Sequence, residues 1–187
     1  MTRKKFKEYY QKKTLPGADG PAGRVVYEYT GEYYLLGTAR GSLKKQKILL
    51  AVSAAGAFTL YACAGFINAQ GLRVFYILLP FVAAFLPGAL LLIGAMRLLL
   101  TRKSKLTIFD VSEMHTRTRR SAAAAAVLCA AACAGEIALL VLKRRDMAGR
   151  ADLYVLALCF SAAILFFFAW KTARTFSCRL IPGTPAP

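Results

Sequence analysis

Few side chains in this 187-residue chain are of a type that performs chemistry, and their spacing keeps them apart. Glu136 is the one acid well inside a long apolar run, one to two turns from its outer end. Ionising a carboxylate at membrane depth is costly, so such an acid is by default a candidate for handling protons or cations. The competing role is structural: an ion pair or a headgroup-level position, since Lys143 follows and Arg73 is expected near the same leaflet. Cys63, Cys129, Cys133 and Cys159 fall in apolar runs and Cys178 in a basic tail, with no CxxC pair and no Cys/His cluster. They read as small buried hydrophobes rather than a disulfide framework. Cys129 and Cys133 share a helix face, but two thiols fall short of a closed zinc site. His115 is the only histidine and no other ligands converge on it in the sequence. Gly17, Gly20 and Gly23 lack a following Lys-Ser/Thr, which makes them linker glycines rather than a phosphate loop. With no nucleophile–base pair and no paired carboxylates apparent, neither catalysis nor a metal or cofactor is expected.

The elements that must position these residues are apolar helices. The chain reads as an all-α polytopic membrane protein, four transmembrane helices in two hairpins (48–100 and 121–170), with a small cytosolic layer of β-prone and interfacial segments. Residues 48–67 carry no charge and only Ser53 and Thr59 as clearly polar groups, over a helical length of about 30 Å, the thickness of a bilayer core. After a short break, 73–100 returns; at about 42 Å if fully helical it must tilt, kink or emerge. Within it Pro80 and Pro87 lie two turns apart on one face, and Ala84 and Gly88 form a small-xxx-small step that permits close helix approach. The prolines serve either packing or, as in transporters with broken helices, gating. The alanine-rich span 122–142 is expected to be central in the bundle or at a subunit interface. The fourth span, 153–170, ends at Trp170 with Lys171 and Arg174 just beyond, an interfacial aromatic backed by cations.

Around the spans lies a basic layer. In 1–47, residues 1–13 are an amphipathic helix on the inner leaflet, a disordered basic tail or a recognition peptide for another protein, 15–23 is a Pro/Gly linker, and 25–36 reads as a β-hairpin with its turn at 30–32. Tyr27, Tyr29, Tyr33 and Tyr34 on that hairpin, with Arg40, Lys44 and Lys45 and with Arg117, Arg119 and Arg120 of the 101–120 loop, form the candidate interaction surface. Ser42 is placed to cap a helix beginning at Leu43. A similar order of β-prone residues, basic run and span precedes both hairpins, as a tandem repeat would give. The tail 171–187 is basic, then Pro-rich.

The net charge is +17, from 26 Lys and Arg against 9 Asp and Glu. Of the 26, 20 lie in 1–47, 101–120 and 171–187, so the positive-inside rule puts both termini in the cytosol, and the lack of a recognisable leader makes a bacterial plasma membrane the default. The 143–151 loop, with Lys143, Arg144, Arg145 and Arg150, is the exception. Such a charge would raise nucleic acid as a partner for a soluble protein; beside membrane spans, orientation and anionic headgroups account for it, and nucleic acid is not expected. The leading expectation is a non-catalytic accessory or scaffold subunit, in a homo-oligomer or a membrane complex, recognising its partner through the basic tyrosine-rich face. The alternative is a small oligomeric transporter or channel using Glu136, Arg73 and the Pro80/Pro87 helix.

Overall fold

The computed structural model describes residues 10–17, 20–29, 33–38, 42–101, 105–107, 111, 116–142 and 150–181. Four helices dominate: α1 (Leu43–Gly65), α2 (Phe75–Leu100), α3 (Thr118–Leu142) and α4 (Arg150–Thr175). All four are long and apolar enough to cross a membrane. They pack in a closed ring, α1 on α2 and α4, and α3 on α2 and α4. The outward faces are apolar over the middle of the helices, for example at Val52, Leu79, Leu86, Val127, Phe160 and Ile164. A belt of that kind is stable against hydrocarbon and would aggregate in water.

The core follows from small residues that let the helices approach. Ala54, Ala57 and Ala64 of α1, Ala84 and Ala95 of α2, Ala122, Ala125 and Ala132 of α3, and Ala162 and Ala169 of α4 are all buried. Into the space they leave goes an aromatic knot. Tyr61 stacks on Phe81 with ring centroids 4.6 Å apart, and meets Phe85 at 5.2 Å and Phe166 at 6.2 Å. Its hydroxyl donates to the Phe81 carbonyl oxygen at 2.8 Å, so this fully buried phenol leaves no unsatisfied donor. The small-xxx-small step acts as its spacing implies: a Cβ at Gly88 would lie 3.3 Å from Phe58 Cδ2 and 3.4 Å from Phe166 Cζ. α2 runs through Pro80 and Pro87 as one continuous helix rather than a broken one.

One end of the bundle carries a sheet. β3 (Tyr33–Thr38) is its central strand, antiparallel to β4 (Lys105–Thr107) on one side and to β5 (Phe176–Leu180) on the other. Segments far apart in the chain therefore meet beneath the helices that β3 and β4 precede and β5 follows. Lys47 of α1 donates to the Thr101 carbonyl at the end of α2, 2.8 Å away, fixing the two helices antiparallel at this end. A second sheet is the hairpin of β1 (Tyr10–Gly17) and β2 (Gly20–Tyr29).

These pairings correct the expected 25–36 hairpin. Its two halves are both strands, but 25–29 pairs with 10–14, and Tyr33–Thr38 pairs with β4 and β5. The described parts of the Pro/Gly segment at 15–23 are strand rather than spacer, 15–17 in β1 and 20–23 in β2, with Gly17 paired to Gly20. Residues 10–13 are accordingly extended, not helical. The alanine-rich α3 forms one side of the ring rather than its centre, the first of the two positions expected for it. A four-membered ring has no centre for one helix to occupy, and Ala124, Ala130, Ala131 and Ala134 face outward.

Candidate functional site

At the end of the bundle opposite the sheet, the connector from α1 to α2 folds down onto the helices. Residues 66–74 contain a single 3-10 turn, Gly71–Arg73, and Gly71 is buried. Two acids converge on this glycine. Asp152, in the first turn of α4 where the helix dipole favours an anion, accepts a hydrogen bond from the Gly71 N–H at 3.0 Å. Glu136, from the last part of α3, lies with its carboxylate against the Gly71 Cα, so that any Cβ there would collide with both carboxylate oxygens. Both acids are 1% exposed. Neither oxygen of Glu136 has a hydrogen-bond partner among the described residues.

Among the described residues, uncharged groups pack beside Glu136. Gly135 beside Glu136 gives room for Ile77, whose Cγ1 would lie 2.9 Å from a Cβ added there. One turn below on α3 is Cys133, buried like Cys129 and Cys159, and the Cys129 thiol donates to the Cys159 carbonyl oxygen at 3.2 Å. The three thiols pack as small core groups, as their positions in the sequence imply. Among the described residues no three His, Cys, Asp or Glu side chains are grouped to hold a metal ion.

Arg73, expected near the same leaflet, is in the same connector but does not neutralise Glu136. Its guanidinium is exposed and donates to Asn68 Oδ1 at 3.1 Å. Lys143, the other expected counter-charge, and the rest of 143–149 lie outside the described residues. Pro80 and Pro87 are half-buried within α2. Two serines of the spans bond to their own helices, Ser53 donating to the Leu50 carbonyl at 3.0 Å and Ser161 to the Ala157 carbonyl at 2.8 Å, whereas the buried Thr118 hydroxyl has no hydrogen-bond partner among the described residues. Hydroxyls bonded in this way offer no continuous polar path.

Asp152 is the residue that reading the sequence missed. It stands at the start of a span, where an acid is unremarkable as a helix-terminus residue, and nothing local connects it with Glu136. The signal was topological: residues flanking a short interhelical loop on antiparallel helices lie at the same end of the bundle.

The other candidate surface is at the sheet end. Lys44 and Lys45 are exposed in the first turn of α1, Arg119 and Arg120 in the first turn of α3, and Arg117 in the turn leading into it. Neither first turn contains an acid. Lys171 and Arg174 lie exposed in the last turns of α4, with the Arg174 guanidinium 4.9 Å from the centre of the Trp170 ring, an aromatic–cation pair of the kind that marks an interface. The four tyrosines are split. Tyr33 and Tyr34 are half-buried in β3, opposite Thr107 and between Leu106 and Leu180 respectively, whereas Tyr27 and Tyr29 belong to β2 and pair with Lys12 and Tyr10. Arg40 and His115 lie outside the described residues. Cys178 is half-buried in β5 opposite Leu36, and burial pushes its thiol above the ordinary value.

Comparison with known protein families, with curated proteins and with solved structures finds no match to this chain. Four helices long and apolar enough to span a bilayer, ringed by an apolar belt, are what the chain offers: the features of an integral membrane protein.

Proposed function

We propose that this protein is a non-catalytic integral membrane subunit, an accessory or scaffold component of a homo-oligomer or larger membrane complex, and that it recognises anionic headgroups and its partner through the basic sheet end. In this reading that end, with both termini, faces the cytosol of a bacterial plasma membrane.

The observation that carries the reading is electrostatic. α1 and α3 both begin at the sheet end, where the unsatisfied N–H groups of a helix N-terminus already carry about half a positive charge. Acids are the usual occupants of such a first turn. Here Lys44 and Lys45 occupy one and Arg119 and Arg120 the other, with no acid in either. The arrangement is unfavourable in isolation and becomes favourable against phosphate or carboxylate. The sheet of β3, β4 and β5 joins the approaches to these helices, which supports reading the basic groups at this end as one surface.

A second reading, a small oligomeric transporter or channel using Glu136 and the Pro80/Pro87 helix, draws on the burial of Glu136. The unbroken α2 and the self-bonded serines count against it.

The test is affinity purification of the full chain in mild detergent from its native host, with mass spectrometry of bound proteins and lipids, beside the variant K44E/K45E/R119E/R120E. The scaffold reading expects a stoichiometric partner or a defined oligomer enriched in anionic lipid, both lost from a variant that still reaches the membrane. Unchanged partners and lipids in the variant would refute it.

A further inference from the structure

We propose that Glu136 is a proton-binding site: it carries a proton at neutral pH inside the end of the bundle, closed over by the backbone of Gly71. The inference is independent of the scaffold reading and requires no transport.

The geometry leaves the carboxyl few other states. Glu136 is 1% exposed, and neither of its oxygens meets a hydrogen-bond donor among the described residues. An ionised carboxylate so buried has no donor among the described residues to stabilise it. Among the described residues, the groups facing it from each packed element do not supply a cation. From α4 come Asp152, within electrostatic reach, and Cys159; from α3 itself, Cys133. From α2 come Ile77 and Tyr76, packed on Gly135. From the connector comes the Gly71 backbone, whose one N–H is already donated to Asp152, while Arg73 is exposed and bonded to Asn68. Asp152 thus brings a second acid, not a cation, to the glycine that covers Glu136.

A metal ion fits poorly in place of the proton. Hard cations take about six to eight oxygens, and among the described residues no third His, Cys, Asp or Glu side chain joins the two carboxylates. Gly71 is packed against both Glu136 oxygens, which removes the space a coordination sphere would need. A proton requires none. Its binding makes and breaks only the carboxyl O–H bond, and the proton exchanges with water when the connector lifts. Gly71 is thus both lid and spacer, gripped by Asp152 through its N–H and overlain by Glu136 at its Cα.

The test uses the full chain in lipid nanodiscs and two readouts. The first is infrared spectroscopy in the carbonyl region of a protonated carboxylic acid, comparing the wild type with Glu136→Gln at neutral pH. The second needs only the wild-type chain: labelling with dicyclohexylcarbodiimide, which adds to protonated carboxyls in apolar surroundings, with the adduct located by peptide mass spectrometry. The proposal expects a protonated-carboxyl band that Glu136→Gln removes. It also expects an adduct at Glu136 that falls about tenfold for each pH unit above its midpoint and is indifferent to sodium, potassium or calcium at constant pH. A neutral-pH spectrum unchanged by Glu136→Gln, or absence of the adduct at acidic pH, would overturn it. Protection from labelling by one of the cations at constant pH would overturn it in favour of a metal site.

Discussion

Replacing Gly71 by Ala tests the packing of the connector more sharply than any change at the acids themselves. A Cβ at this position would fall inside the Glu136 carboxylate, against Oε1 and Oε2 together. Either the 3-10 turn lifts, breaking the 3.0 Å bond from Gly71 N to Asp152, or Glu136 swings out of its buried position. Overpacking of this kind typically costs about 1–3 kcal/mol, and loss of the hydrogen bond to a charged acceptor adds about 1.5–3 kcal/mol if the turn lifts. In Glu136→Ala the obstructing atoms are gone, and Gly71→Ala introduced on that background has room. The two changes are therefore expected to be non-additive, with the double variant more stable than the sum of the singles by about 1–3 kcal/mol. The assay is equilibrium unfolding of the four proteins in mixed micelles, followed by the fluorescence of Trp170, the only tryptophan in the chain. Additivity within about 0.5 kcal/mol, the behaviour of independent sites, would refute the placement of Glu136 on Gly71.

Two further outcomes follow from the core and the sheet. Tyr61→Phe removes the 2.8 Å bond to the Phe81 carbonyl while keeping the stacked ring, and should cost about 0.5–1.5 kcal/mol, whereas Tyr61→Ala, which empties the knot, should cost about 3–5 kcal/mol; equal losses in the same unfolding assay would show that the ring packing is not what the site supplies. Cys178 should react with a maleimide more slowly in the folded protein than in denaturant at neutral pH, because burial raises its thiol above the usual value of about 8.5 and so lowers the thiolate fraction. The sign carries over to stability: what burial of the neutral thiol contributes is complete below the unfolded value and is lost as pH rises through the folded one. Equal folded and denatured rates across that range would contradict the half-buried position in β5.

How much was legible in the sequence varies with the range of the interactions involved. Helix positions were legible because length and apolarity are local quantities: the start of α1 at Leu43 behind Ser42 is as the sequence implies, although Ser42 makes no side-chain cap and only its carbonyl is used, by Gln46 N–H at 3.1 Å. The small-xxx-small step at Ala84 and Gly88 was legible for the same reason, and the Trp170–Arg174 boundary likewise. Strand propensity at 25–29 and 33–36 was legible as well, but not its partners. Val25 pairs with Thr14, and Leu36 with Cys178. The second of these pairings spans almost the whole chain and exists only because the helices bring β3 and β5 to one end.

The same division holds for the acidic site. Sequence by itself determined that Glu136 is an acid at membrane depth, that the chain has four spans' worth of apolar helix, and that its charge gathers around the segments outside them. Those are properties of composition along the chain, and the cost of placing each residue in hydrocarbon fixes them one at a time. That Asp152 is its neighbour, that Arg73 turns to Asn68 instead, and that Gly71 has no side chain because a carboxylate occupies that space were decided only by tertiary structure. The physical reason is that each depends on which surfaces of different helices face one another, and that is set by the packing of the whole ring rather than by any one stretch of sequence.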